Sequence, residues 1–181
     1  MDYTFAGLPL HVLLVHAVVV LTPLLSLCLV VIAAWPGARR VLWLPVLIGA
    51  AVLLPLGLVT IEAGKWLEQR VPPAPLIQEH TAQGEEIVPW LIALLGLTVV
   101  IAAWAIVERV ARGRGDGHDL DRDAVAGGAG PRRGTRLAVG IVLTLAALFV
   151  AAASTWTLVQ IAEAGSRAVW EGSFSEVPLN E

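Results

Sequence analysis

The chain has 181 residues, of which 57% are hydrophobic and 15% are charged, and its formal net charge is −3. A soluble domain carries nearer a quarter charged residues, so this composition indicates a polytopic membrane protein, and nothing in the chain favours nucleic-acid binding. The single cysteine, Cys28, excludes an intrachain disulfide and a zinc site built from cysteines.

The apolar residues fall into four blocks, each long enough to cross a bilayer core as a helix. The first begins with Leu8, and no Asp, Glu, Lys or Arg occurs before Trp35. We therefore predict a single all-α domain over 1–181, an integral membrane four-helix bundle. The predicted helices cover about 8–35, 41–66, 76–111 and 136–163, with a short link at 36–40, a flexible cytoplasmic loop at about 112–135 and an outer tail at 164–181.

Basic residues predict the orientation of the bundle. Nine of the twelve Lys and Arg residues lie in the link and in the loop around 108–136, and cytoplasmic loops are enriched in Lys and Arg. Both termini are thus predicted to lie on the outer, extracytoplasmic side of the membrane. Tryptophans near the helix ends fit the headgroup level, with Trp43 and Trp104 at the inner side.

Ionisable residues gather at the predicted outer ends of all four helices. His11 and His16 open the first helix, Glu62 closes the second, His80 opens the third and Glu163 closes the fourth. Ionisable groups in or near a bilayer usually face a bundle interior or a wet cavity and mark a functional site. The pattern predicts a His/Glu cluster on four helices; the alternative is that these groups line a wet vestibule or reach the interface.

Imidazole and carboxylate ligands suit iron, copper or zinc, and bundle cores are a usual place for such sites. His11 and His16 are five residues apart on one helix, so they point in different directions and cannot bind one haem iron together. We predict haem b bound by His80 with His11 or His16, of which His11 has the better depth, or a metal bound by His11, His80, Glu163 and Glu62. Thr22 and Ser26 continue the polar stripe that starts at His11 and are expected to face neighbouring helices.

Four segments of the chain resemble a bacterial membrane family known as "domain of unknown function 2231". They are the opening Gly-Leu-Pro-Leu-His-Val-Leu-Leu-Val-His at 7–16, the Gly-Lys-Trp-Leu-Glu at 64–68 with the His-Thr-Ala-Gln-Gly-Glu at 80–85, and the Gly-Ser-Arg-Ala-Val-Trp at 165–170. The resemblance implies a four-helix membrane protein similar to di-haem cytochrome b folds. In that family pattern a histidine often ends the last helix; this chain offers only Glu163, which makes a mixed His/Glu metal site more favourable relative to haem.

The leading hypothesis is a redox-associated membrane protein that binds haem b or a transition metal through His11, His16 and His80, with Glu163 as a further participant. The alternative is a cofactor-free scaffold or accessory subunit that packs against other membrane subunits of a respiratory complex, or against copies of itself. Transport is less favoured, because no internal repeat of the kind that transporters use is recognised in the sequence.

Overall fold

A computed structural model describes residues 2–116 and 133–175, and these are mostly helical. The predicted loop residues 117–132 and the end of the predicted tail, 176–181, lie outside this range. The helices are α1 (Leu10–Ala34), α2 (Pro36–Glu68), α3 (Pro75–Gly84), α4 (Val88–Asp116) and α5 (Arg133–Trp170), and a 3₁₀ turn, Glu85–Ile87, joins α3 to α4.

A small β-ribbon precedes α1. Strand β1 (Thr4–Phe5) pairs antiparallel with β2 (Leu8–Pro9), and Gly7 turns the chain between them with a φ of 78°, a backbone conformation that glycine adopts readily. The backbone N–H of Leu10 then donates to the carbonyl of Tyr3 at 2.8 Å. Because this pairing uses residues 8 and 9, α1 begins at Leu10 and His11 lies in its first turn.

The predicted link at 36–40 belongs to a helix in the structure. Only Trp35 separates α1 from α2; its backbone is extended, as the residue before a proline prefers, and Pro36 occupies the first turn of α2, where its missing N–H costs no hydrogen bond. The turn is tight enough for Arg39 to bond back to the last turn of α1. Arg39 is therefore a buried helical residue.

Helix α5 also runs further than predicted, to Trp170. Arg167 pairs with Glu163 one turn earlier at 2.6 Å, which supports this added length, and the chain turns only at Gly172, which has a φ of 74°. Gly165 lies inside the helix, where it receives a neighbouring side chain described below.

Around the bundle, α1 packs against α2 and α5, and both of these pack against α4. One layer of the core consists of Leu29, Ile32, Leu94, Ile101 and Ala147 with their neighbours. The other contains Val18, Leu53, Leu91, Leu158 and Ile161 with theirs. The second layer lies nearer the end that carries His11 and His80, the histidine end; the opposite end, with Arg39, is the arginine end.

The outer faces of the helices are apolar. Residues such as Val20, Leu27, Val142, Leu145 and Phe149 are more than 60% exposed. In residues 2–116 and 133–175, four helical spans are long and apolar enough to cross a membrane: Leu10–Ala34, Pro36–Glu68, Pro75–Arg112 and Gly134–Trp170. An apolar surface this extensive suits lipid rather than water. The prediction of four helices long and apolar enough to span a bilayer is confirmed, and it is consistent with a multi-pass membrane protein.

Candidate functional site: a histidine pair on two helix hairpins

His11 is held against α2 by one hydrogen bond and one glycine. Its Nδ1 lies 2.9 Å from the carbonyl oxygen of Thr60. A carbonyl oxygen only accepts, so Nδ1 carries the proton and donates it. The ring rests on Gly64, where a Cβ atom would lie 2.9 Å from Nδ1, closer than side chains approach. The half-buried imidazole is thereby fixed in position and tautomer.

His80 is held against α5 in the same way. Its Nδ1 donates to the carbonyl oxygen of Ile161 at 3.1 Å. The ring rests on Gly165, where a Cβ atom would lie 2.9 Å from Cε1 and 3.2 Å from Nδ1. The side chain of Ile161 is buried in the core, so the accepting carbonyl is itself firmly placed.

The two rings meet between the hairpins. Their centroids are 6.1 Å apart and their planes are inclined by 74°. Within the part of the chain that the structure describes, no hydrogen bond involves Nε2 of either ring. Metal-binding histidines typically donate their other ring N–H to a carboxylate or a backbone carbonyl, which is how both Nδ1 atoms are used here. Each ring thus presents Nε2 as a free electron-pair donor when the imidazole is neutral.

The arrangement occurs twice because the chain repeats a short motif. Glu-Ala-Gly stands at 62–64 and again at 163–165, and in each copy the carbonyl four residues before the glycine accepts the histidine bond. Residues four apart lie on the same face of a helix, so a glycine there leaves the carbonyl open to a ring from the side. Each copy of the motif therefore forms what we call a histidine socket, a helix glycine with the carbonyl four residues before it. The socket on α2 holds His11 of α1, and the socket on α5 holds His80 of α3. Sequence reasoning noted both glycines only as the first residues of segments that resemble a known family; the repeated tripeptide was the signal for their role as histidine contacts.

His16 lies apart from the pair. It is exposed, and its Nδ1 bonds to the carbonyl of Val12, one turn earlier on α1, at 2.6 Å. This agrees with the predicted divergence of His11 and His16 on one helix.

Both predicted carboxylates have basic partners in their own helices. Glu62 is 3.2 Å from Lys65, which also bonds Glu85 at 2.7 Å, and Glu163 is 2.6 Å from Arg167. Both carboxylates are more than half exposed. Among the described residues, no three His, Cys, Asp or Glu side chains are grouped closely enough to hold a metal ion. The structure thus brings His11 and His80 together, whereas Glu62 and Glu163 form surface ion pairs.

A small cleft opens between α3 and α5 at the histidine end. Its volume is about 230 Å³. Its lining is mainly polar and consists of Leu76, Glu79, Gln83, Gln160, Glu163, Ala164 and Arg167. Pockets for cofactor-sized ligands are usually at least about 300 Å³, so this cleft suits a small polar species better than a haem macrocycle.

The polar stripe below His11 faces the bundle interior, as predicted. Thr22 is 0% and Ser26 1% exposed, and the Ser26 hydroxyl is 3.2 Å from that of Ser154 on α5. This hydrogen bond ties α1 to α5 beneath the histidine pair.

No family model matches this chain, and no curated protein or solved structure is significantly similar to it.

Proposed function

We propose that this membrane protein binds a transition-metal ion at His11 and His80 and serves a redox-associated role there. The observation that carries the proposal is the pair of oriented imidazoles, each with Nδ1 bonded to a helix carbonyl and Nε2 free. A metal bound to Nε2 at about 2.0–2.1 Å lies roughly 3.2 Å from the ring centroid, so two imidazoles on one ion have centroids at most about 6.4 Å apart. The observed 6.1 Å falls within this limit.

Copper is the ion we favour among copper, iron and zinc. Imidazole nitrogen suits all three, but copper(I) also tolerates a site with only two protein ligands. Two histidines are the ligands that the described residues bring together here. Bound copper supplies one-electron chemistry, and the two sockets fix the ligands without involving the surface carboxylates.

Haem b is the second form of the proposal. The same centroid separation suits two axial imidazoles, and the resemblance to the family of domain of unknown function 2231 implies haem.

Metal analysis and visible spectroscopy on the same detergent-purified sample test both forms. After loading with copper(I) and gel filtration, we expect about one copper per chain in the wild type and in the matched control His16→Ala. His11→Ala and His80→Ala should each lose it. Equal copper in all four proteins would contradict the proposed ligands.

A dithionite-reduced minus air-oxidised visible spectrum tests whether the protein binds haem. A haem difference band that disappears in His11→Ala or His80→Ala would assign haem b to the pair. Colourless protein that binds no stoichiometric metal would favour the alternative, a cofactor-free accessory subunit packed against other membrane proteins.

We also infer that the histidine end is extracytoplasmic in a bacterial cytoplasmic membrane, with both termini on that side. Nine of the twelve Lys and Arg residues belong to the segments at the arginine end, which supports this orientation. Fusions of alkaline phosphatase to either terminus should be active and fusions of green fluorescent protein dark. The reverse pattern would contradict the orientation.

A further inference from the structure

The arginine end contains a buried ion pair between α2 and α4. Arg39 Nη2 lies 3.2 Å from Glu108 Oε1, and the two side chains are only 3% and 7% exposed. Arg39 Nη1 also donates to the carbonyls of Ile32 and Ala33 in the last turn of α1, at 3.2 and 3.0 Å. One guanidinium therefore joins three helices at the point where α1 ends.

This cluster is incompletely hydrogen-bonded. Arg39 Nε, Glu108 Oε2 and the indole Nε1 of Trp104 are buried, and none of them has a partner within the described residues. Most buried polar atoms in proteins are hydrogen-bonded, so such atoms call for a ligand, a water or a functional reason. Glu108 Oε2 is an acceptor without a donor.

A cleft of about 310 Å³ adjoins the cluster. Its lining consists of Arg40, Trp43, Ala105, Glu108, Arg109 and Arg112. Three arginines and one carboxylate line the cleft, and Arg39 pairs with that carboxylate, so these five side chains give a net charge of +3 (4 − 1). The cleft thus attracts an anion, and Glu108 in its lining has one oxygen without a donor among the described residues.

The position of the cleft shows what kind of anion fits. Arg40 is followed at intervals of four residues by Leu44 and Ile48, which share its face of α2 and are about half exposed. Trp43 belongs to the aromatic residues that prefer the headgroup level. If the anionic group of a molecule binds in the cleft, the rest of that molecule can lie against the apolar surface formed by Leu44 and Ile48.

We propose that this cleft binds the headgroup of an anionic phospholipid that carries free hydroxyls, of the phosphatidylglycerol type. The phosphate pairs with Arg40, Arg109 and Arg112, since guanidinium groups match phosphate geometry. A headgroup hydroxyl donates to Glu108 Oε2, and the acyl chains lie along the apolar face of α2. Basic pockets between membrane helices are known to hold such headgroups.

Native mass spectrometry of the full chain in detergent, titrated with phosphatidylglycerol, tests the site. We expect Arg40→Gln/Arg109→Gln to weaken phosphatidylglycerol binding about 30-fold, since each basic residue near a membrane surface contributes comparably to anionic-lipid binding. Arg70→Gln/Arg167→Gln is the matched control, because it removes the same charge at the histidine end. Both double variants change exposed side chains, and their melting temperatures are measured alongside. Equal loss in both variants, or no loss in either, would overturn the proposal.

Three further ligands test which groups of the lipid the cleft recognises. Phosphatidylmethanol has the same charge without headgroup hydroxyls, and we expect it to bind several-fold more weakly; equal affinity would overturn the role of Glu108 as a hydroxyl acceptor. Glycerol 3-phosphate and inorganic phosphate, at concentrations equal to the lipid, should not displace it. Displacement by either would show that the cleft takes a free phosphate and not a lipid headgroup.

Discussion

At the histidine end of the bundle the charged groups pair on the surface, whereas at the arginine end Arg39 and Glu108 are buried between helices. Lys65 bridges Glu62 and Glu85 in partly exposed contacts, so the histidine pair gains its positions from backbone carbonyls and not from charges. At the arginine end the opposite holds: an ion pair organises the helix junction and leaves polar atoms without partners.

The two ends illustrate two ways in which a membrane protein can position the groups of a binding site. Each imidazole has Nδ1 bonded to a backbone carbonyl, and no hydrogen bond among the described residues involves Nε2, which is the arrangement that the proposed cation site requires. The arginine end has excess positive charge and an unused acceptor, which leaves a site ready for an anion with a hydroxyl. Each end therefore predicts a distinct response to substitution.

The largest effect should come from breaking the buried ion pair. Removing one partner leaves the other charge buried and uncompensated, so we expect Glu108→Ala to lower the free energy of unfolding by about 3–5 kcal/mol. Denaturant titration in detergent micelles measures this change. Glu86→Ala, which removes an exposed carboxylate, should change it by less than about 0.5 kcal/mol. A loss under about 1 kcal/mol for Glu108→Ala would show that water reaches the pair.

The next effect should come from the two glycine sockets. A Cβ at Gly64 or at Gly165 would displace the ring resting there, so we expect each alanine variant to lose about 1–3 kcal/mol of stability and to bind copper more weakly. Gly96→Ala is the matched control, because outside its own stretch of helix backbone no described atom lies within 4 Å of the added Cβ. It should be neutral or stabilising, since alanine is the better helix former.

Unequal outcomes at the two sockets would be informative. If the sockets are equivalent, Gly64→Ala and Gly165→Ala should lower copper binding by similar factors. A loss confined to one of them would show that a single histidine dominates binding, and no loss in either would contradict the histidine pair as the site.

The membrane architecture could be predicted from the sequence because lipid imposes one simple requirement, a long apolar helix. The register of the first and third helices also placed His11 and His80 at one level. Helix ends were harder to predict, since Pro36 reads as a breaker although proline is favoured in a first helical turn. A break at Pro36 places Arg39 in a link, whereas the structure places it in the first turns of α2.

The remaining features depend on helix rotation, which composition does not reveal. Whether Glu108 faces lipid, solvent or Arg39 is decided by the packing of α4 against α2. The sockets could have been suspected from the repeated Glu-Ala-Gly, but only contact shows that the glycines receive imidazoles. The carboxylates of the same motif attract attention in the sequence, yet in the structure they pair with neighbouring bases.

A smaller effect should come from the hydroxyls between the two ends. Ser154→Ala removes the bond to Ser26, and such bonds in membrane proteins average about 0.6 kcal/mol. Thr22→Val is the contrasting variant, because the buried Thr22 hydroxyl has no partner among the described residues. It should be neutral or slightly stabilising in the same denaturant titration. A larger loss for Thr22→Val than for Ser154→Ala would indicate a bound water at Thr22.

The smallest effect should come from Glu163→Gln. The partner Arg167 is exposed, and exposed ion pairs contribute about 0.2–1 kcal/mol or nothing measurable, so the free energy of unfolding should barely change. The informative readout is copper stoichiometry and affinity. With His11 and His80 as the ligands, binding should equal that of the wild type, and Glu62→Gln should behave alike as the matched change in the other copy of the motif. A several-fold loss of copper affinity confined to Glu163→Gln would mean that this carboxylate leaves Arg167 to bind the metal. The site would then use a carboxylate from α5 but not the corresponding Glu62 from α2.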